Sequence, residues 1–224
     1  MWGRVRIVGF ALALVALPTV TAGCDPAPRH AAPTRPEHRP TAPPIPSAIP
    51  TSQVAEQWTM VQALWWNWVA RAAAGHSPVT DPDGRYCAVG QPGNQLWFLA
   101  NAAAASHGVV RRTCTVPTSN WILFPLVNLA SVDRASCTAF LTGTQGAATV
   151  DGKDVPVATA RPDTAFPVAG VAGNDVTHTT AAVQRYGCGL WARLDPLPPG
   201  NHTVTIRAHA AGQAVSVDYS LRVR

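Results

Sequence analysis

Between positions 54 and 72 the apolar side chains Val54, Trp58, Val61, Trp65, Trp68 and Ala72 recur three and four residues apart, the spacing that gathers them on one face of an α-helix. The pattern predicts a helix over 52–74, with Thr51 or Ser52 as N-cap, Glu56 near the first turn and Gly75 as its stop. Trp66 falls about 100° from the centre of that stripe at 3.6 residues per turn. It therefore stands apart from the three tryptophans expected to pack inward. After Asp81-Pro82-Asp83-Gly84, a turn by its chemistry, the pattern changes to strands, expected at 85–90, 95–100, 109–116 and 121–127. Leu96 to Ala100 and Trp121 to Phe124 are continuously apolar, which calls for cover on both faces. Residues 103–107 read as a short helical turn or a loop.

The second half alternates more cleanly. Val150-Asp151-Gly152-Lys153 carries a hairpin signal, because Asp-Gly supplies the positive φ angles of a two-residue turn. Cys188, Leu190, Ala192 and Leu194 share one face of a strand and leave Trp191 and Arg193 on the other. Val204, Ile206 and Ala208 oppose Thr203, Thr205 and Arg207, and Val215 to Val223 repeat the alternation against Ser216, Asp218, Ser220 and Arg222. The expected fold is mainly β. It is an antiparallel β-sandwich of about nine or ten strands, immunoglobulin-like or jelly-roll-like, with one N-terminal amphipathic, Trp-rich α-helix.

The N-terminus carries an address rather than a fold. Arg4 and Arg6 precede the uncharged run from Ile7 to Val20, which ends in small residues; a basic start, a short apolar core and a small-residue cleavage site make a secretory signal. The run is shorter than the roughly 20 apolar residues that cross a bilayer. Thr21-Ala22-Gly23-Cys24 resembles the lipobox of bacterial lipoproteins, with Thr21 where that family usually carries an aliphatic residue. The resemblance implies that Cys24 is lipidated and becomes the first residue of the mature chain, a cell-membrane protein held on the extracytoplasmic face by palmitate-type acyl chains. Two or more chains anchor stably where one is marginal. Asp25 to Pro50 is dense in Pro and Ala and cannot bury a core; as polyproline II it reaches roughly 80 Å. The expected organisation is a signal peptide at 1–23, a lipidated cysteine and disordered stalk at 24–50, and one domain at 51–224.

Charge and cysteines narrow the picture further. The 224 residues carry 17 Lys and Arg against 12 Asp and Glu. Loss of residues 1–23 removes Arg4 and Arg6, so part of the basic character belongs to the signal. Over 51–224 the charges nearly balance and only Arg111 and Arg112 are adjacent, which leaves no basic face for nucleic acid. Once Cys24 is assigned to the lipid, Cys87, Cys114, Cys137 and Cys188 remain, an even number that argues for two disulfides in an exported domain. Of three connectivities we expect Cys87 with Cys114 and Cys137 with Cys188, since each pair brackets a contiguous block.

No motif names a reaction. The chain lacks a Gly-x-Ser-x-Gly elbow, a His-Glu-x-x-His helix and a phosphate-cradling Gly-rich loop, and Glu56 is the sole glutamate beyond the stalk. Asp81 to Gly84 fails the EF-hand spacing, and no metal or cofactor is expected. Two sets of residues remain as candidate sites. Trp66 and the pair Trp191 with Arg193 offer aromatic and cationic surface for a sugar ring or a protein partner, against the alternative that Trp191 lies beneath the helix. Asp175 and His178 share a polar loop, 173–180.

Two further resemblances bear on the fold. Leu197-Pro198-Pro199-Gly200-Asn201-His202-Thr203-Val204 looks like the corner leading into a late strand of bacterial immunoglobulin-like sandwiches. Cys87 to Gln91 with Leu96 to Ala100, then Arg112 to Pro117 and Leu123 to Asn128, resembles a recurrent pattern of uncharacterised secreted bacterial proteins, which implies a self-contained exported domain. The expected role is a membrane-anchored binding or envelope-associated module for a cell-envelope glycan or protein partner. An extracytoplasmic hydrolase without a recognisable motif, or an accessory subunit of an envelope complex, are the alternatives.

Overall fold

The computed structural model describes residues 51–102 and 108–224, and the side chains of all of these except 51–55 and 213. The signal, Cys24, the stalk, the 103–107 segment and the side chains of Thr51, Ser52 and Val54 lie outside the described residues.

Three layers make the domain: a helix, a first sheet and a second sheet. Helix α1 (Thr51–Ala70) packs on one face of the first sheet. That sheet has the order β1 (Leu96–Phe98), β3 (Trp121–Ser131), β8 (Val183–Leu194), β6 (Val157–Ala160), with β7 (Phe166–Val168) pairing the early part of β8. The second sheet runs β2 (Val110–Val116), β10 (Gln213–Val223), β9 (Gly200–Ala210), β4 (Gln145–Val150), β5 (Lys153–Asp154). The expected β-sandwich with one N-terminal helix is present. Its pairing is mixed: β1 with β3 and β2 with β10 are parallel, while the other ladders are antiparallel.

The alternation of side chains explains the layering. Ile122 and Phe124 of β3, Leu190, Ala192 and Leu194 of β8, Val204 and Ile206 of β9, and Val217, Tyr219 and Leu221 of β10 fill the space between the sheets. The opposite face of the first sheet meets α1 through Phe98, Ala100, Leu123, Ala160 and Trp191, against Trp65, Trp68 and Val69. The continuously apolar runs are thus covered on both sides. A register shift in β3 between Pro125 and Val127 puts Leu126 and Val127 both into the inter-sheet core, as a β-bulge does. Both disulfides form as expected, Cys87–Cys114 and Cys137–Cys188. Asp151 (φ 48°) and Gly152 (φ 76°) make the β4–β5 turn with the left-handed backbone that Asp-Gly foretold.

Three elements differ from the sequence reading. Helix α1 ends at Ala70 rather than 74, because the Ala70 carbonyl accepts from Val171 N–H at 3.0 Å and the following residues continue in turns. Residues 85–90 form turns instead of a strand: the buried Asp81 carboxylate accepts from the amides of Asp83, Gly84 and Tyr86, which spends on one side chain the groups a ladder would use. A second helix, α2 (Arg134–Leu141), was not foreseen. Asp133 caps it by accepting from Ser136 N–H, and Cys137 ties it to β8.

Candidate functional site

The chemistry-bearing side chains gather beneath and beside α1. Gln62, Trp65, Trp68 and Val69 lie on its buried face, whereas Met60 (58% exposed) and Leu64 face out. Asn67 fixes the helix in place: its Oδ1 accepts from Ala169 N–H and its Nδ2 donates to Pro167 O, on either side of β7's end. Gly187 in β8 leaves room for this arrangement, since a Cβ there would meet Gln62 Oε1 at 2.6 Å and the Phe166 ring at 2.9 Å.

A row of indoles runs between helix and sheet. Trp58 and Trp191 have ring centroids 6.3 Å apart, Trp191 and Trp65 meet edge to face at 5.9 Å, and Trp65 and Trp66 do so at 4.9 Å. Such tilted and edge-on pairs add to burial through the ring quadrupoles. Trp65 Nε1 donates to Leu99 O, and Trp68 Nε1 to Val89 O. The row ends in two different places, and each holds residues singled out by the sequence.

At the Trp58 end lies an open cleft of about 530 Å³. Trp58 and Pro156 form apolar walls, and Arg193, Asp154 and Asp195 bring charge. Trp191 is 0% exposed and lies beneath α1, the alternative that the sequence held against a platform with Arg193, so it offers no ring face to solvent. The packing of α1 explains this, since Trp58 and Trp65 cover it. Trp58, half-buried, takes over as the cleft's aromatic surface. Arg193 is nevertheless held by an aromatic ring. Its guanidinium stands 4.5 Å from the centroid of Trp121, which is 37% exposed, while Asp195 lies 3.8 Å from its Nη2. Trp121 and Arg193 are two residues out of register on the neighbouring strands β3 and β8, and so share a face diagonally, a relation that only the pairing of the two strands reveals.

At the other end a cavity of about 310 Å³ is lined by Trp66, Val79, Thr80, Asn101, Asn128 and Asp175, among others. Here the structure brings together Trp66 and Asp175, which come from separate arguments in the sequence. It does not bring Asp175 to His178: no hydrogen bond or ion pair joins them, and His178 (φ 57°) closes the loop through its backbone, donating to Asn174 O and accepting from Gly173 N–H. Asn174 organises that loop. Its side chain accepts from Val176 N–H and Thr177 N–H and donates to Val171 O and Thr179 O.

Two polar groups outside the candidate sites read from the sequence stand out in the structure. Arg112, 3% exposed, donates from Nε to Asp81 O, from Nη2 to Val79 O, and from Nη1 to Ala100 O, Asn101 O and Tyr219 Oη. It thereby fixes the backbone of Val79 and Asn101 in the cavity wall. Its signal was available, because the period of two places it with Val110, Cys114 and Val116 on the inward face of β2. At the far end of the sandwich, His202 donates from Nδ1 to Asp151 Oδ2 at 2.7 Å and from Nε2 to Pro198 O at 2.9 Å. Both ring nitrogens face acceptors, so the imidazolium is the form that fits. The bond to Asp151 raises the His202 pKa against the opposing effect of burial, and the same bond, with the amide of Thr203, lowers that of Asp151. Among the described residues no three His, Cys, Asp or Glu side chains converge as a metal site.

No protein-family model matches the chain, and no curated protein matches it. One solved structure, described as the solution structure of amebosin, aligns with 54% of this chain and 100% of its own at 10% identity. Its TM-score of 0.24 is too low to carry an argument about either fold or function.

Proposed function

We propose that the chain is an exported lipoprotein, anchored through Cys24, whose disulfide-bonded sandwich is a binding module for a cell-envelope glycan. The reading is supported most directly by the cleft at the Trp58 end. A half-exposed indole, a guanidinium pinned against a second ring and two carboxylates line a single volume of about 530 Å³, within the range of about 300–1,000 Å³ that small-molecule sites occupy. An aromatic face packs against the C–H surface of a sugar, and planar charged groups take its hydroxyls. The two disulfides support an oxidising compartment. The Pro-rich segment before the domain suits a stalk that holds such a module away from the membrane.

The test is a titration of the purified protein with N-acetylglucosamine oligomers and muropeptides, followed by calorimetry. Saturable binding is expected, weakened about tenfold in Trp58→Ala and in Arg193→Ala, which corresponds to about 1.4 kcal/mol per variant. Saturable binding that neither substitution alters, or no binding by any saccharide, would remove the cleft from the account.

A further inference from the structure

The cavity beside Trp66 shares part of its wall with a neighbouring one. Asn101, Ala102 and Asn128 also line a second, larger volume of about 620 Å³, whose other walls include Val127, Leu129, Phe140 and Val215. This chamber sits at one end of the sandwich, between β3, helix α2 and the β9–β10 turn, and its lining is dominated by hydrocarbon. Two spaces of different chemistry therefore meet at one pair of amides.

That pair is directional. Asn101 Nδ2 donates to Asn128 Oδ1 at 3.0 Å, and Asn128 Nδ2 is left buried with no acceptor; on the wall of the smaller cavity Trp66 Nε1 is likewise buried with no acceptor. Both orphaned groups are N–H donors. A buried donor without an acceptor has lost its hydration and gained nothing in exchange, so a ligand that brings oxygen acceptors to this point is favoured. Asp175 and Thr80 stand in the same wall. The carboxylate disfavours an anionic group and accepts from a hydroxyl.

We infer that the space joined at Asn101 and Asn128 binds a neutral, single-chain amphiphile: its hydrocarbon tail occupies the larger chamber, and the oxygens of its ester or polyol head accept from Asn128 Nδ2 and Trp66 Nε1. This site is separate from the cleft at Trp58, and the inference stands whether or not that cleft takes a glycan.

The probe is 1-lauroylglycerol and its chain-brominated analogue, titrated below micelle formation into the full oxidised chain carrying Cys24→Ser, so that no acyl group of its own competes. Bound bromine quenches nearby indoles. Saturable one-to-one quenching is expected, with glycerol unable to compete. Ala139→Phe, which narrows the chamber from the surface of α2, should weaken binding at least tenfold. Trp66→Phe keeps an aromatic ring but removes the donor, and should weaken lauroylglycerol about tenfold while leaving a lauryl hydrocarbon of equal length nearly unaffected. Unfolding midpoints and intact disulfides report on folding, and should Ala139→Phe fail to fold, Trp66→Phe decides alone. Absence of saturable quenching, equal competition by glycerol or N-acetylglucosamine, or binding indifferent to both variants would overturn the inference.

Discussion

Replacing Arg112 by Met is the sharpest perturbation of the framework that holds the Trp66 cavity. The guanidinium makes five hydrogen bonds, four of them to main-chain carbonyls of residues 79, 81, 100 and 101 and one to Tyr219 Oη, and the ring of Tyr219 lies 5.8 Å from its carbon. Among the described residues no carboxylate comes within ion-pair distance of it. Bonds from charged donors are worth about 1.5–3 kcal/mol each, but they are not additive, and Met recovers the cost of burying the charge. Leaving buried acceptors without a donor costs about 1–3 kcal/mol each, and with three carbonyls affected and the charge no longer buried the expected net loss is about 3 kcal/mol. It is a large part of the roughly 5–15 kcal/mol that stabilises a domain. Arg112→Lys keeps the charge but replaces the planar fork with three donors on one nitrogen, which cannot span the carbonyls of residues 79, 81 and 101 as the fork does, so the loss is about 1–3 kcal/mol. Urea unfolding followed by tryptophan emission reads both, provided the slope with denaturant is unchanged. A loss below about 1 kcal/mol for Met, or a lysine variant as stable as the parent, would refute the keystone role.

Three further outcomes are expected. The Asp151–His202 bond makes stability depend on pH. The raised His202 contribution is complete below its ordinary 6.5 and fades as pH rises through the folded value; the lowered Asp151 contribution is complete above 3.8 and fades as pH falls through its folded value. The midpoint difference between the parent and His202→Gln should therefore be largest between those values and shrink at alkaline pH, and a difference constant from pH 4 to 9 would contradict it. Trp191→Ala should cost about 3–5 kcal/mol in denaturant unfolding, as deletion of a buried ring does, whereas Trp58→Ala should cost about 1 kcal/mol; equal losses would contradict the placement of Trp58 at the cleft surface. Reduction of Cys137–Cys188, which spans 51 positions, should cost about 4 kcal/mol by loop closure, measured by unfolding of Cys137→Ser/Cys188→Ser.

What could be read from the residues follows physical range. The face of α1, the Asp-Gly hairpin, the inward rows of β8 to β10 and the disulfide blocks are local patterns with fixed periods, and they appear where expected. Contacts that cross the fold were hidden. Helix α1 stops early because a residue 101 positions away takes its Ala70 carbonyl. The strand expected at 85–90 gave way to the buried carboxylate of Asp81, which a turn reading placed correctly but could not extend. Trp191 was put on the face away from Leu190 with burial beneath the helix as the alternative to a platform, and the seating of α1 closes that face. Trp66 and Asp175 share a cavity because a loop 109 positions later folds back beside α1, and the exposed ring beside Arg193 proved to be Trp121 from a neighbouring strand. Arg112 was the legible miss, since alternation alone points it inward.

The intact mass of the mature protein extracted from membranes, taken with and without reduction, bears most directly on the claim that an oxidised sandwich is displayed outside the cell on a lipid anchor. The expected species begins at Cys24, carries the mass of two or more acyl chains, and gains four hydrogens on reduction from the bridges at Cys87–Cys114 and Cys137–Cys188. A chain that keeps residues 1–23, bears no acyl mass and shows four free thiols would contradict the account.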